Sequence, residues 1–121
     1  MTRPRAAIFG CAGPDLTSDE RAFFRDADPL GFILFARNIA APDREGAERA
    51  RRLVEELRST VARAEAPVLI DQEGGRVARL RPPQWRKAPP ARLLGELYRR
   101  DPDKGLEAAQ LNSRLLAMDV A

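Results

Sequence analysis

The 121-residue chain contains no histidine and a single cysteine, and these two scarcities limit its chemistry more than anything present. Without histidine, its residues alone cannot assemble a Ser-His-Asp triad, an imidazole metal site or a histidine general acid. One cysteine, Cys11, excludes an internal disulfide and any multi-thiolate metal site, and its place in the apolar run Ala6 to Cys11 suits a small core residue. Long apolar runs are also missing. The stretch after Arg3 and Arg5 is broken by Gly10 and then Pro14-Asp15, too soon for a secretory signal, and no other run approaches membrane-span length.

The chain is rich in charge. Its 21 basic and 18 acidic residues leave a net charge of +3, but the two signs are interleaved, which describes a solvated surface better than a nucleic-acid footprint gathered on one face. All the basic residues except Lys87 and Lys104 are arginine, a global preference that identifies no single site. The hydrophobic content of 44% is enough for one core, so a folded domain is expected.

Buried strands alternate with helices. Ala6 to Cys11 reads as a first strand. A helix follows, with Thr17 or Ser18 as N-cap, Asp19 and Glu20 in the first turn, and Phe23 and Phe24 facing inward until Pro29 ends it. Gly31 to Phe35 is a second apolar strand, running out into Arg37 and Asn38. From Pro42 to about Glu65, Ala47, Ala50, Val54, Leu57, Val61 and Ala64 recur along one helical face, with Glu45–Arg49 and Glu48–Arg52 as i,i+4 pairs outside. Val68 to Ile70 is a third strand, and Pro82 to Pro90 must be loop. Asp101-Pro102 opens a last helix carrying Leu106, Ala109, Leu111, Leu115 and Met118, and Asp119 to Ala121 reads as entry to another strand. The order predicts a parallel α/β architecture of about three βα units.

The chemistry gathers behind the third strand, in Asp71-Gln72-Glu73-Gly74-Gly75-Arg76-Val77-Ala78-Arg79-Leu80-Arg81. An apolar strand that stops at a carboxylate and a turn is how α/β sheets and barrels present polar groups to a ligand. Asp71 and Glu73 point to the same side of an extended chain, about 6 to 7 Å apart. That spacing admits a glycosidase acid and nucleophile, a structural ion pair or a sugar-hydroxyl clamp. Asp71 alone is the better ligand-binding candidate, its alternative being a cap or salt bridge that holds the turn. Gly74-Gly75 lacks the spacing of a phosphate loop and reads as a turn. Arg76 and Arg79 are three apart, so one of them faces the site, to bind a ligand oxygen or to pair with Glu73. Trp85 suits packing at the rim, or stacking on a sugar.

The run DQEGGRVARL, with Gly31 to Asn38 (GFILFARN) before it and a helix between, resembles the bacterial β-N-acetylglucosaminidases of glycoside hydrolase family 3, and the likeness in element order covers essentially the whole chain. The resemblance implies the N-terminal part of a (β/α)₈ TIM barrel. It implies an O-glycosyl hydrolase removing terminal β-linked N-acetylglucosamine from cell-wall muropeptides by a retaining mechanism, in the cytoplasm, with Asp71 binding sugar hydroxyls and Arg79 supporting the same subsite. The family's aspartate nucleophile and its histidine acid/base have no counterpart here, so no catalytic residue is assigned and the chain alone is expected to be inactive. No cofactor, metal, nucleic-acid or membrane partner is implied. A barrel of this kind takes about 250 residues; residues 1–121 are therefore expected to be a partial barrel domain stopping before the fourth strand. Two alternatives stay open: a non-catalytic sugar-binding module, and a family 3 β-glucosidase or phosphorylase.

Overall fold

The computed structural model describes residues 3–121, in two compact units that divide between Ile70 and Asp71. The first unit runs β1 (Arg5–Phe9), α1 (Ser18–Ala27), β2 (Pro29–Leu34), a 3₁₀ turn (Ala36–Asn38), α2 (Arg44–Thr60) and β3 (Val68–Ile70). Its three strands lie in the order β1-β2-β3, and both pairings are parallel. This alternation of parallel strands with helices is that of the first part of a (β/α)₈ barrel.

The register explains which side chains are buried. Phe9, Phe32 and Val68 form one row across the sheet and Leu34 pairs with Ile70, placing these five on the face that packs against the apolar cluster. Helix α1 contributes Phe24 to that cluster, and α2 contributes Leu53 and Leu57. Phe32 and Leu57 are completely buried, each worth about 2 to 3 kcal/mol in apolar area removed from water. Phe24 meets Phe32 edge-on, ring centroids 5.2 Å apart.

The opposite face of the sheet departs from expectation. Ile8 and Leu69 remain 38% and 47% exposed, so β1 and β3 are not buried on both sides. Apolar residues on the second face of a parallel sheet are what a barrel interior requires, since its centre is filled by side chains from several strands.

Local signals set the helix ends. Thr17 is the N-cap of α1 and forms a capping box with Glu20: Thr17 Oγ1 accepts from the Glu20 N–H at 3.1 Å, and Glu20 Oε2 accepts from the Thr17 N–H at 2.9 Å. Phe24 faces inward as expected, but Phe23 is 55% exposed. The helix closes at Asp28 (φ 42°), and Pro29 belongs to β2. Helix α2 starts later and stops earlier than the apolar pattern suggests: Asp43 caps it by accepting from the Gly46 N–H at 2.8 Å, Val61 is its C-cap, and Ala64 lies beyond it. Its inward stripe is centred on Leu53 and Leu57. Of the charges on its outer face, Arg44 pairs with Glu48 and Arg49 with Asp15, in place of the expected partners.

The second unit contains more structure than the sequence pattern predicts. The strands β4 (Gln72–Gly74) and β5 (Val77–Ala78) form a small antiparallel hairpin within the polar motif, and α3 (Ala91–Arg100) precedes α4 (Pro102–Val120) as a helical hairpin. The run of prolines that ends at Pro90 concealed α3. The N-cap of α4 is Asp101, with Pro102 at the first helical position as expected. Four of its large apolar residues are exposed, Leu106, Leu111, Met118 and Val120. Asp119 and Val120 continue the helix, so they are not the start of a strand.

Candidate substrate-binding site

Asp71 directly follows β3 in the chain and begins the second unit. It is partly exposed, and Arg79 Nη2 donates to its Oδ2 at 3.2 Å. The sequence left Asp71 between ligand contact and salt bridge; the structure shows the salt bridge and leaves the carboxylate 39% accessible. Such a pair holds both groups in one orientation while each keeps capacity for a further oxygen or hydroxyl partner.

The hairpin makes this pairing possible. A chain that must reverse within a few residues needs positive φ, and Gly74 (φ 90°) and Gly75 (φ 60°) supply it. Any side chain at Gly74 would also strike the loop, because a Cβ would lie 2.4 Å from the Pro89 carbonyl oxygen. The Gly pair is thus a turn, and Gln72 pairs across the hairpin with Ala78.

Gln72 is the residue whose role the sequence did not reveal. Its Oε1 accepts from the backbone N–H groups of Arg79 and Leu80, at 2.9 and 3.0 Å, and its Nε2 donates to the Leu80 carbonyl at 2.9 Å. One side-chain amide therefore fixes the backbone that carries Arg79 next to the residue that carries Asp71. The only signal for it was an uncharged amide placed between two carboxylates.

Of the other candidates, Glu73 and Arg76 are exposed and Trp85 is half-buried. The polar end of β2, within the first unit, is structural. Asn38 is completely buried, its Nδ2 donating to the carbonyls of Cys11 and Gly13 at 3.1 and 2.8 Å while its Oδ1 accepts from the Phe35 N–H at 2.8 Å. Arg37 Nε donates to the same Cys11 carbonyl at 3.0 Å, and its guanidinium lies 4.7 Å from the centre of the Phe35 ring. Burial, followed by the charge of Glu20, pushes the Cys11 thiol above its ordinary pKa, so it stays protonated at neutral pH. Among the described residues, no group of three His, Cys, Asp or Glu side chains is placed to hold a metal ion, and no helix is long and apolar enough to cross a membrane.

No family model matches the sequence. Individual relatives do. A β-hexosaminidase of Stenotrophomonas maltophilia is 36% identical over 117 residues, covering 93% of this chain and 32% of the relative. One from Methylococcus capsulatus is 37% identical over 113 residues, covering 93% and 30%. The fold is also similar to NagZ from Neisseria gonorrhoeae, solved in complex with N-trifluoroacetyl-D-glucosamine, with a TM-score of 0.82 and 28% identity over 97% of this chain and 33% of that one. The chain spans about a third of the length of the curated relatives it matches. In sequence and in fold, the chain is therefore homologous to the N-terminal portion of glycoside hydrolase family 3 β-hexosaminidases of the NagZ type.

Proposed function

We propose that this chain is the substrate-binding N-terminal barrel segment of a cytoplasmic O-glycosyl hydrolase that releases terminal β-linked N-acetylglucosamine from cell-wall muropeptides with retention of configuration. The observation that supports this reading best is the Asp71–Arg79 pair, held by Gln72 immediately after a parallel strand. Asp71 accepts hydrogen bonds from sugar hydroxyls, and its two oxygens suit a pair of neighbouring hydroxyls. Arg79 orients that carboxylate and donates to an oxygen of the same sugar.

Asp71 and Arg79 bind and orient; neither is assigned proton transfer or nucleophilic attack, and the acid, base and nucleophile are assigned to no residue of this chain. Residues 1–121 act in this reading as part of a larger barrel domain. The ligand in the Neisseria structure, an N-acylated glucosamine, supports the choice of sugar.

The test is the hydrolysis of an aryl β-N-acetylglucosaminide by the enzyme that carries this segment, beside the corresponding glucoside and with and without phosphate. Preference for the N-acetylglucosaminide, with water as acceptor, is the expected result. A glucoside preference, or transfer to phosphate, would replace the substrate and reaction assigned.

A further inference from the structure

We propose that Arg86 and Asp119 are a positioning pair, fastening the loop between β5 and α3 to α4 and, through that loop, fixing the hairpin that carries Asp71 and Arg79. For its effect on the reaction this inference rests on the substrate-binding reading of Asp71; for its effect on the hairpin it stands alone.

Arg86 Nη2 lies 3.5 Å from Asp119 Oδ2, and both atoms are shielded from solvent without a hydrogen-bond partner among the described residues. Asn112 Oδ1 is in the same state. Asn112 and Asp119 are seven residues apart, two turns along one face of α4. An ion pair withdrawn from water without good hydrogen bonds adds little net stability, because desolvation offsets the attraction. What such a pair provides is registration: the guanidinium has one anion to meet, and the loop is held where they meet.

The loop transmits that registration. Two residues after Arg86, the Ala88 carbonyl accepts the Gly75 N–H at 3.1 Å, and the next carbonyl, Pro89, closes against Gly74. The turn of the hairpin is thereby seated on residues 88–89. From that turn the two strands return to Gln72 and Ala78, and the Gln72 amide then fixes Arg79 beside Asp71. A shift of the loop at Arg86 therefore moves the pair that would meet the sugar.

Arg86→Met and Asp119→Asn, made in the protein that carries this chain, separate this role from general stability. Amide hydrogen exchange at Gly75, Arg79 and Leu80 should accelerate about tenfold or more, while amides of α2 keep their protection. KM for an aryl N-acetylglucosaminide should rise, and adding Arg86→Met to Asp71→Ala should raise it by clearly less than the product of the two separate effects, since both act through the Asp71–Arg79 pair. Arg86→Lys, which retains the charge and is the gentler change should Arg86→Met fold poorly, should restore part of the effect. Unchanged exchange at the three amides, or effects of Arg86→Met and Asp71→Ala that multiply in full, would overturn the proposal. If Asp71→Ala alone leaves the kinetics intact, the substrate-binding reading falls, and exchange at Gly75 still decides whether the pair positions the hairpin.

Discussion

In the first unit Phe24, Phe32, Leu53 and Leu57 are packed out of reach of solvent, whereas in the second unit α3 has no buried residue and α4 buries only Gly105. The second unit is organised instead by side-chain-to-backbone hydrogen bonds and close glycine contacts: Gln72 across the hairpin, Gly74 and Gly75 against residues 88–90, and Gly105 against Tyr98. Apolar burial makes a rigid platform without directional chemistry. Polar fixation is weaker per contact, and it places particular groups at particular distances.

Phe32→Ala attacks the platform most directly. Losing a fully buried aromatic ring should cost about 4 kcal/mol in denaturant unfolding, a large part of an ordinary domain's stability. Asn38→Ala should cost about 3 kcal/mol by the same assay, because it removes the amide donor to the Gly13 carbonyl, one of the two donors to the Cys11 carbonyl, and an acceptor of the Phe35 N–H. In the second unit Gly105→Ala should cost about 2 kcal/mol, since the new Cβ would lie 2.4 Å from Tyr98 Cα, and faster amide exchange in α3 and α4 would report it. If Phe32→Ala proved no worse than Gly105→Ala, the contrast between the two units would fail.

The smallest effect sharpens the comparison by adding a polar device to the apolar unit. Burial opposes ionisation of Glu20, but hydrogen bonds from the N–H groups of Thr17 and Ala12 and from the Thr17 hydroxyl outweigh it and hold its pKa below the ordinary 4.5. A carboxyl whose folded pKa is depressed stabilises the fold above its unfolded value, and that contribution is lost as pH falls through the folded value. Glu20→Gln should therefore flatten the fall of stability with acid below about pH 4.5, and Thr17→Ala should cost about 1 kcal/mol at neutral pH. An unchanged acid limb in Glu20→Gln would remove the capping box from the account.

The parallel strand order and the helices α1 and α2 were legible because their signals are local: short apolar runs, a Thr-x-x-Glu cap, and apolar spacing of three and four. What the sequence concealed depends on context. Whether Ile8 and Leu69 are covered is decided by which elements lie beyond that sheet face, and no property of β1 or β3 contains that information. The hairpin β4–β5 has strands of three and two residues, too short to show the alternation that marks a strand; Gly-Gly announced its turn but not its pairing. Helix α3, with apolar Leu93, Leu94 and Leu97 behind a run of prolines, was assigned to no element. At the site, Asp71 and Arg79 were visible as residue types at a strand end, while their pairing and the Gln72 clamp required the chain reversal first.

The measurement that tests the central claim most directly is Asp71→Asn in the enzyme that carries this segment, with kinetics on an aryl β-N-acetylglucosaminide and thermal melting taken together. The substitution removes the carboxylate's charge and keeps its shape. If this residue binds sugar hydroxyls, kcat/KM should fall about 100-fold, the equivalent of about 2.7 kcal/mol, while Tm moves by no more than about 2 °C. A kcat/KM equal to that of the parent would contradict the account, and so would a loss of activity fully explained by a fall in Tm.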